Sequence, residues 1–194
     1  MNRSMSDDWK ARFRELYQAA QQRYRDGRTI PETIFEADEA DFLASLGCTS
    51  QELFDFVEDS INWGDVEYDQ VEGVTALRRD HFVNALDSQP ADSVIDPATI
   101  PAKKDEVDGI AWLPRLIVKA RAKLAGELHP DLMYGCGGDR PFLRERNSSL
   151  VEFLQVTLDA GDDDRAIIDY LNNGCIPVHL HDTVTSPYEG YLDI

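Results

Sequence analysis

Apolar residues recur along this chain at intervals of three and four, a spacing that predicts helices over most of its length. Over residues 8–26, Trp9, Phe13, Leu16, Tyr17, Ala20 and Tyr24 share one helical face, and Gly27 ends the run. A second helix is expected over 31–46, with Phe35, Phe42, Leu43 and Leu46 turned inward. Thr49 and Glu52 then stand three apart, ahead of Leu53, Phe54, Phe56 and Val57, which is the pattern of a capping box opening an amphipathic helix. Asn62-Trp63-Gly64-Asp65 reads as a turn, and residues 66–86 as another helix carrying Val71, Val74, Leu77 and Phe82. Farther along, "NSSLVEFLQVTLDAG" and "DDDRAIIDYLNNG" each read as a capped helix closed by glycine. Strand signals are scarce. Only "CIPVHLHDTVT" alternates with period two, and its Pro177 speaks against a central strand. The expected fold class is mostly α, a helical bundle.

Between residues 87 and 108 the periodicity lapses and three prolines appear, so this stretch reads as a connector in which Val94, Ile95 and Ile100 are able to pack. The chain accordingly divides into an N-terminal helical half (1–86), the connector (87–108), a C-terminal helical half (109–173) and an irregular tail (174–194). "FLASLGCTSQELFDFV" from Phe42 and "FLRERNSSLVEFLQVT" from Phe142 align without a gap, with Glu52-Leu53-Phe54 over Glu152-Phe153-Leu154. The bundle is therefore readable as two similar helical half-domains. The competing explanation is the general likeness of amphipathic helices.

The second half opens on "AWLPRLIVKARAKLAGELHPDLMYGCGGDRPFL". At about 100° per residue, Leu113, Leu116, Ile117, Ala120 and Leu124 form an apolar face. Arg115, Lys119 and Lys123, four apart, form a basic stripe on the other side, flanked by Trp112. Pro114 suits a first turn and Gly126 an end. The stripe is expected either to answer the chain's own acidity or to meet a guest.

Charge sharpens that choice. With 37 Asp and Glu against 19 Lys and Arg, the net charge is −18 and the pI about 4.4. A field of that sign repels phosphate backbones, so nucleic acid is not an expected partner. Residues 101–146 depart from it, holding nine basic and seven acidic residues. A mean hydropathy of −0.41 and the lack of an apolar run near 20 residues argue against a membrane span. No apolar leader opens the chain, and Cys48, Cys136 and Cys175 are odd in number and far apart. Both features point to a reducing, cytoplasmic setting.

Three candidate sites follow. The first is an anion site, for a carboxylate or phosphate group, in which Arg115 and Lys119 supply charge, Trp112 and Tyr134 wall the pocket, and Cys136, Asp139 and Arg140 line a glycine-rich loop. That loop lacks any nucleotide-binding pattern, and Asp139 is placed to cap a helix beginning near Pro141. In the second, Cys136 is a nucleophile with His129 or Asp139 as helper. The third is a zinc site from Cys175, His179 and His181, although that spacing fits no familiar pattern. No cofactor is expected. A binding module for a small anionic ligand or a protein partner is the leading expectation, with a thiol-dependent enzyme as the alternative.

The residues Leu113-Pro114-Arg115, Lys119-Ala120-Arg121-Ala122-Lys123-Leu124, Gly126, Tyr134, Cys136, Asp139-Arg140 and Phe142-Leu143, followed by an acidic helix, resemble the signature of a bacterial family described only as domain of unknown function 5069. The likeness runs from about residue 9 to residue 173 and leaves the tail with His179 and His181 outside. It implies a small intracellular bacterial protein and carries no activity with it.

Overall fold

A computed structural model of the protein describes residues 8–173. It is mostly helical, as the periodicity predicts. Helix α1 (Asp8–Arg25) buries Phe13, Leu16, Tyr17 and Ala20. The single helix expected over 31–46 is instead two, α2 (Pro31–Ile34) and α3 (Ala37–Ser45). Phe35 and Glu36 take extended backbone, and Glu36 starts a new helix by pairing reciprocally with Glu39, whose carboxylate accepts from Glu36 N at 2.8 Å. A local capping box thus overrides a continuous hydrophobic period.

Helix α4 (Ser50–Asn62) opens on the predicted box, with Thr49 Oγ1 accepting from Glu52 N at 3.2 Å and Glu52 Oε2 accepting from Thr49 N at 2.8 Å. Helix α5 (Tyr68–Asn84) is somewhat shorter than expected. In the connector, Ile100 is buried and Ile95 partly so, its N–H donating to Glu127 O at 2.8 Å, whereas Val94 stays exposed. The connector ends in a hairpin that the reading of the sequence missed. Strands β1 (Glu106–Val107) and β2 (Ile110–Ala111) pair antiparallel across Asp108-Gly109, whose φ angles are +51° and +75°. Asp-Gly between two apolar residues is the usual short-hairpin signal, because both central residues need positive φ.

Helix α6 (Leu113–Ala125) begins with Pro114 in its first turn and ends at Gly126 in the left-handed conformation. Its φ of +78° favours glycine, and a Cβ there would also lie 2.4 Å from Nη2 of the buried Arg78 of α5. The short α7 (Asp139–Arg144) leads to α8 (Leu150–Ala160), which opens on a third capping box from Ser149 and Glu152. Helix α9 (Asp164–Asn173) completes the described chain.

Helices α5, α6 and α8 pack against one another, α1 lies on α4, and α9 on α8. The buried apolar residues form one cluster running from Phe13 to Ile168 through both halves. No described helix is long and apolar enough to cross a membrane. The tail at 174–194, with its expected irregular course and its alternating segment, lies outside the described residues.

Gly73 shows how closely α5 and α8 approach: a Cβ there would stand 2.5 Å from Val151 Cγ2. Helix propensity favours alanine by about 1 kcal/mol, but overpacking typically costs about 1–3 kcal/mol. Gly73→Ala should therefore lower the urea midpoint, and adding Val151→Ala should restore part of the loss. A Gly73→Ala protein more stable than the parent by about 1 kcal/mol would show that the two helices part without cost.

Candidate functional site

The basic stripe of α6 does not face solvent. Lys119 and Lys123 are only 2% and 3% exposed, because α6 is covered on one side by α5 and on another by α8. A helical wheel of α6 alone separates these lysines from the apolar face, but the fold buries both faces. Each ammonium has a carboxylate brought to it. Lys123 Nζ donates to Glu52 Oε1 at 2.7 Å, the same Glu52 whose other oxygen caps α4. Burial pulls the Lys123 ammonium down, but Glu52 and Cys48 nearby outweigh that and hold it above its ordinary value.

Lys119 is the centre of the glycine-rich loop. Its three donors reach Asp139, Met133 O at 3.0 Å and Cys136 Sγ at 3.4 Å. Asp139 is fully buried and accepts from Lys119 Nζ at 2.7 Å, Trp112 Nε1 at 2.9 Å, Gly135 N at 2.9 Å and Cys136 N at 3.3 Å. It occupies the first turn of α7 but does not cap it. The N-cap is Gly138, and the carboxylate turns back to tie residues 135 and 136 to Lys119.

Two backbone features make this closure fit. Trp112 has φ +74° at the entrance to α6, a conformation unusual for a bulky residue, and it aims the indole N–H at Asp139. Gly138 has no room for a side chain, since its Cβ would lie 2.3 Å from Trp112 Cζ2. Tyr134 is buried and donates to Leu150 O at 2.7 Å, and burial raises its hydroxyl pKa well above the ordinary value.

Arg140 points the other way, into the N-terminal half. It forks onto Asp65 at 2.8 and 3.1 Å, meets Asp59 at 2.7 Å, and donates to Gly135 O at 2.6 Å. Burial works against its charge, and the bonds to Asp65 and Asp59 more than offset it.

The structure therefore brings Trp112, Lys119, Cys136 and Asp139 into one cluster, with Tyr134 and Arg140 attached to the same loop. Arg115 stands apart, half-buried, with Nη1 donating to Pro101 O at 2.9 Å. His129 Nδ1 accepts from Asp131 N at 3.1 Å, and no described hydrogen bond or ion pair joins it to Cys136. Asp139 accepts from the backbone N of Cys136, and no described hydrogen bond joins it to the thiol, so the geometry does not set it as base for Cys136. Cys175, His179 and His181 lie outside the described residues, and among the described residues no three His, Cys, Asp or Glu side chains are grouped to hold a metal.

One open cleft is found nearby, of about 210 Å³, bordered by Asp65, Glu67, Gln70, Arg140, Arg144 and Ser148. Two residues before Asp65 in the chain stands Trp63, which is 74% exposed at the end of α4. The sequence marks Asn62-Trp63-Gly64-Asp65 only as a turn. The available signal was a tryptophan placed at a helix end beside glycine, where no neighbouring helix turn covers it.

Two measurements follow. Removing one member of a buried pair leaves an uncompensated charge, which costs about 3–5 kcal/mol. Asp139→Asn and Lys119→Met should each destabilise on that scale, and the double variant by clearly less than the sum. Strict additivity in denaturant unfolding would show that the pair does not interact.

The second measurement concerns Asp55 on α4, which accepts from Gln51 Nε2 at 2.6 Å. Burial pushes its carboxyl from the ordinary 3.8 up to about 7, aided by Glu58, Asp59 and Glu52. The folded state then holds a proton that the unfolded chain releases between those values, so this contribution to stability is lost as pH rises through the window. Asp55→Asn should gain on the parent in urea midpoint between roughly pH 5 and pH 8. A constant difference across that range would place the Asp55 carboxyl at its ordinary value.

None of the known protein families, curated proteins or solved structures compared with the chain matches it.

Proposed function

We propose that the protein is a cytoplasmic bacterial binding module whose guest is a basic segment of a protein partner. The observation that carries this reading is Trp63, a large aromatic side chain 74% exposed, two residues along the chain from Asp65, which borders the open cleft. Tryptophan is among the residues that most often dominate binding energy at protein interfaces. Near it in sequence stand Glu67 and, each already paired with Arg140, Asp59 and Asp65, on a chain of net charge −18. Such a surface attracts Lys- and Arg-rich segments and speeds their encounter.

The anion-binding alternative draws less support. Lys119, Lys123 and Arg140 already satisfy internal carboxylates, and Arg115 already holds a backbone carbonyl. The same acidity counts against nucleic acid and anionic membrane surfaces. Kinship with the domain of unknown function 5069 family belongs to this proposal, supported by Lys119 to Lys123 and Asp139-Arg140, and it adds no activity.

Peptides selected from a random library on the full chain should combine basic residues with an apolar anchor. Trp63→Ala should weaken the selected peptides by roughly tenfold or more, the range of an interface hot spot. Phosphate and citrate should leave the melting temperature unchanged. Peptides that bind Trp63→Ala as well as the parent, or a clear stabilisation by either anion, would overturn the reading.

A further inference from the structure

We propose that Cys136 and Lys119 form a reversible covalent link under peroxide, a sulfenamide between Sγ and Nζ, so that the loop at 134–140 is a redox-modification site. The geometry is already assembled. Nζ donates to Sγ at 3.4 Å, and the same nitrogen is fixed by Asp139 and by Met133 O. A lysine is usually a long, mobile side chain, and holding its nitrogen beside a sulfur removes most of the entropic barrier to reaction between them.

Access is as selective as position. Cys136 is partly exposed and stands next to Gly137, exposed and without a side chain, so the loop is open beside the cysteine. Cys48 offers the contrast. It is sealed in the core, and burial pushes its thiol up to about 11, which leaves it inert.

The chemistry balances in two steps. Hydrogen peroxide first oxidises the Cys136 thiol: an S–O bond forms, the O–O bond breaks, sulfur gives up two electrons, and the thiol proton leaves in water. Lys119 then passes one proton to Asp139, and its freed lone pair attacks the sulfenic sulfur. The S–N bond forms, the S–O bond breaks, and the departing hydroxide takes a second proton from nitrogen to leave as water. The buried ion pair becomes a neutral amine derivative beside a neutral carboxylic acid. Net charge in the site is zero before and after, so the product needs no new burial of charge. A dithiol reverses the link by cleaving S–N, and Asp139 returns its proton to the amine.

The full-length protein is treated with stoichiometric hydrogen peroxide and weighed intact, before and after dithiothreitol. The expected product has lost two hydrogens, recovers them with dithiothreitol, and on digestion joins the peptides holding Lys119 and Cys136. Cys136→Ser should keep its mass. Dimedone should label Cys136 severalfold more in Lys119→Arg, which keeps the charge beside Asp139 but offers a far poorer nucleophile. A mass gain of oxygen on Cys136 without the link, or a two-hydrogen loss that maps to a disulfide, would overturn the proposal. Intact mass and peptide mapping of the parent protein decide the matter even if Lys119→Arg fails to fold.

Discussion

The carboxylate of Asp139 has no contact with solvent and must be neutralised where it lies, and much of the C-terminal half is arranged around that requirement. Charges removed from water stay destabilising unless their hydrogen-bonding capacity is filled. Asp139 meets the condition with one ammonium, one indole N–H and two backbone amides. Those partners come from the start of α6, its middle and the loop before α7. Their shared acceptor fixes the loop's path, and Trp112 tolerates a positive φ because its indole is needed there.

The adjacent residue extends the arrangement across the molecule. Arg140 ties the same loop to Asp59 at the end of α4 and to Asp65 in the following turn, while Lys123 reaches Glu52 at the start of α4. One helix of the N-terminal half is thus held at both ends by cations of the C-terminal half. Beneath these pairs runs a single apolar cluster that supplies most of the driving force for association. The ion pairs set register more than strength, since apolar replacements of similar shape often match buried pairs in stability.

This internal use of cations shapes the exterior. Four basic side chains, Arg78, Lys119, Lys123 and Arg140, are buried in a chain that has only 19 Lys and Arg. The surface is left richer in carboxylate than composition alone suggests, and Trp63 is exposed within it. The lysine that seals the loop also lies 3.4 Å from the Sγ of Cys136, the one described cysteine that is not buried.

Local rules made much of this legible. Thr49 with Glu52, the helix-opening Ser149, Pro114 and Gly126 each act within one turn of backbone, so their spacing alone set helix ends. The hairpin at Asp108-Gly109 and the break at Glu36 are equally local, but the first follows a stretch without periodicity and the second interrupts a continuous apolar period, so hydrophobic spacing marks neither. The membership of the Trp112, Lys119, Cys136 and Asp139 cluster was also foreseeable from residue type, but its state was not. Whether a lysine on a helix meets water or core depends on which carboxylate the fold delivers. Here the partners lie 20 residues away for Lys119 and 71 for Lys123. The sequence by itself determined the helices, their caps and the apolar faces. Only the packing of α6 between α5 and α8 decided that its cations face inward, because burial of charge depends on partners that separate stretches of chain must bring together.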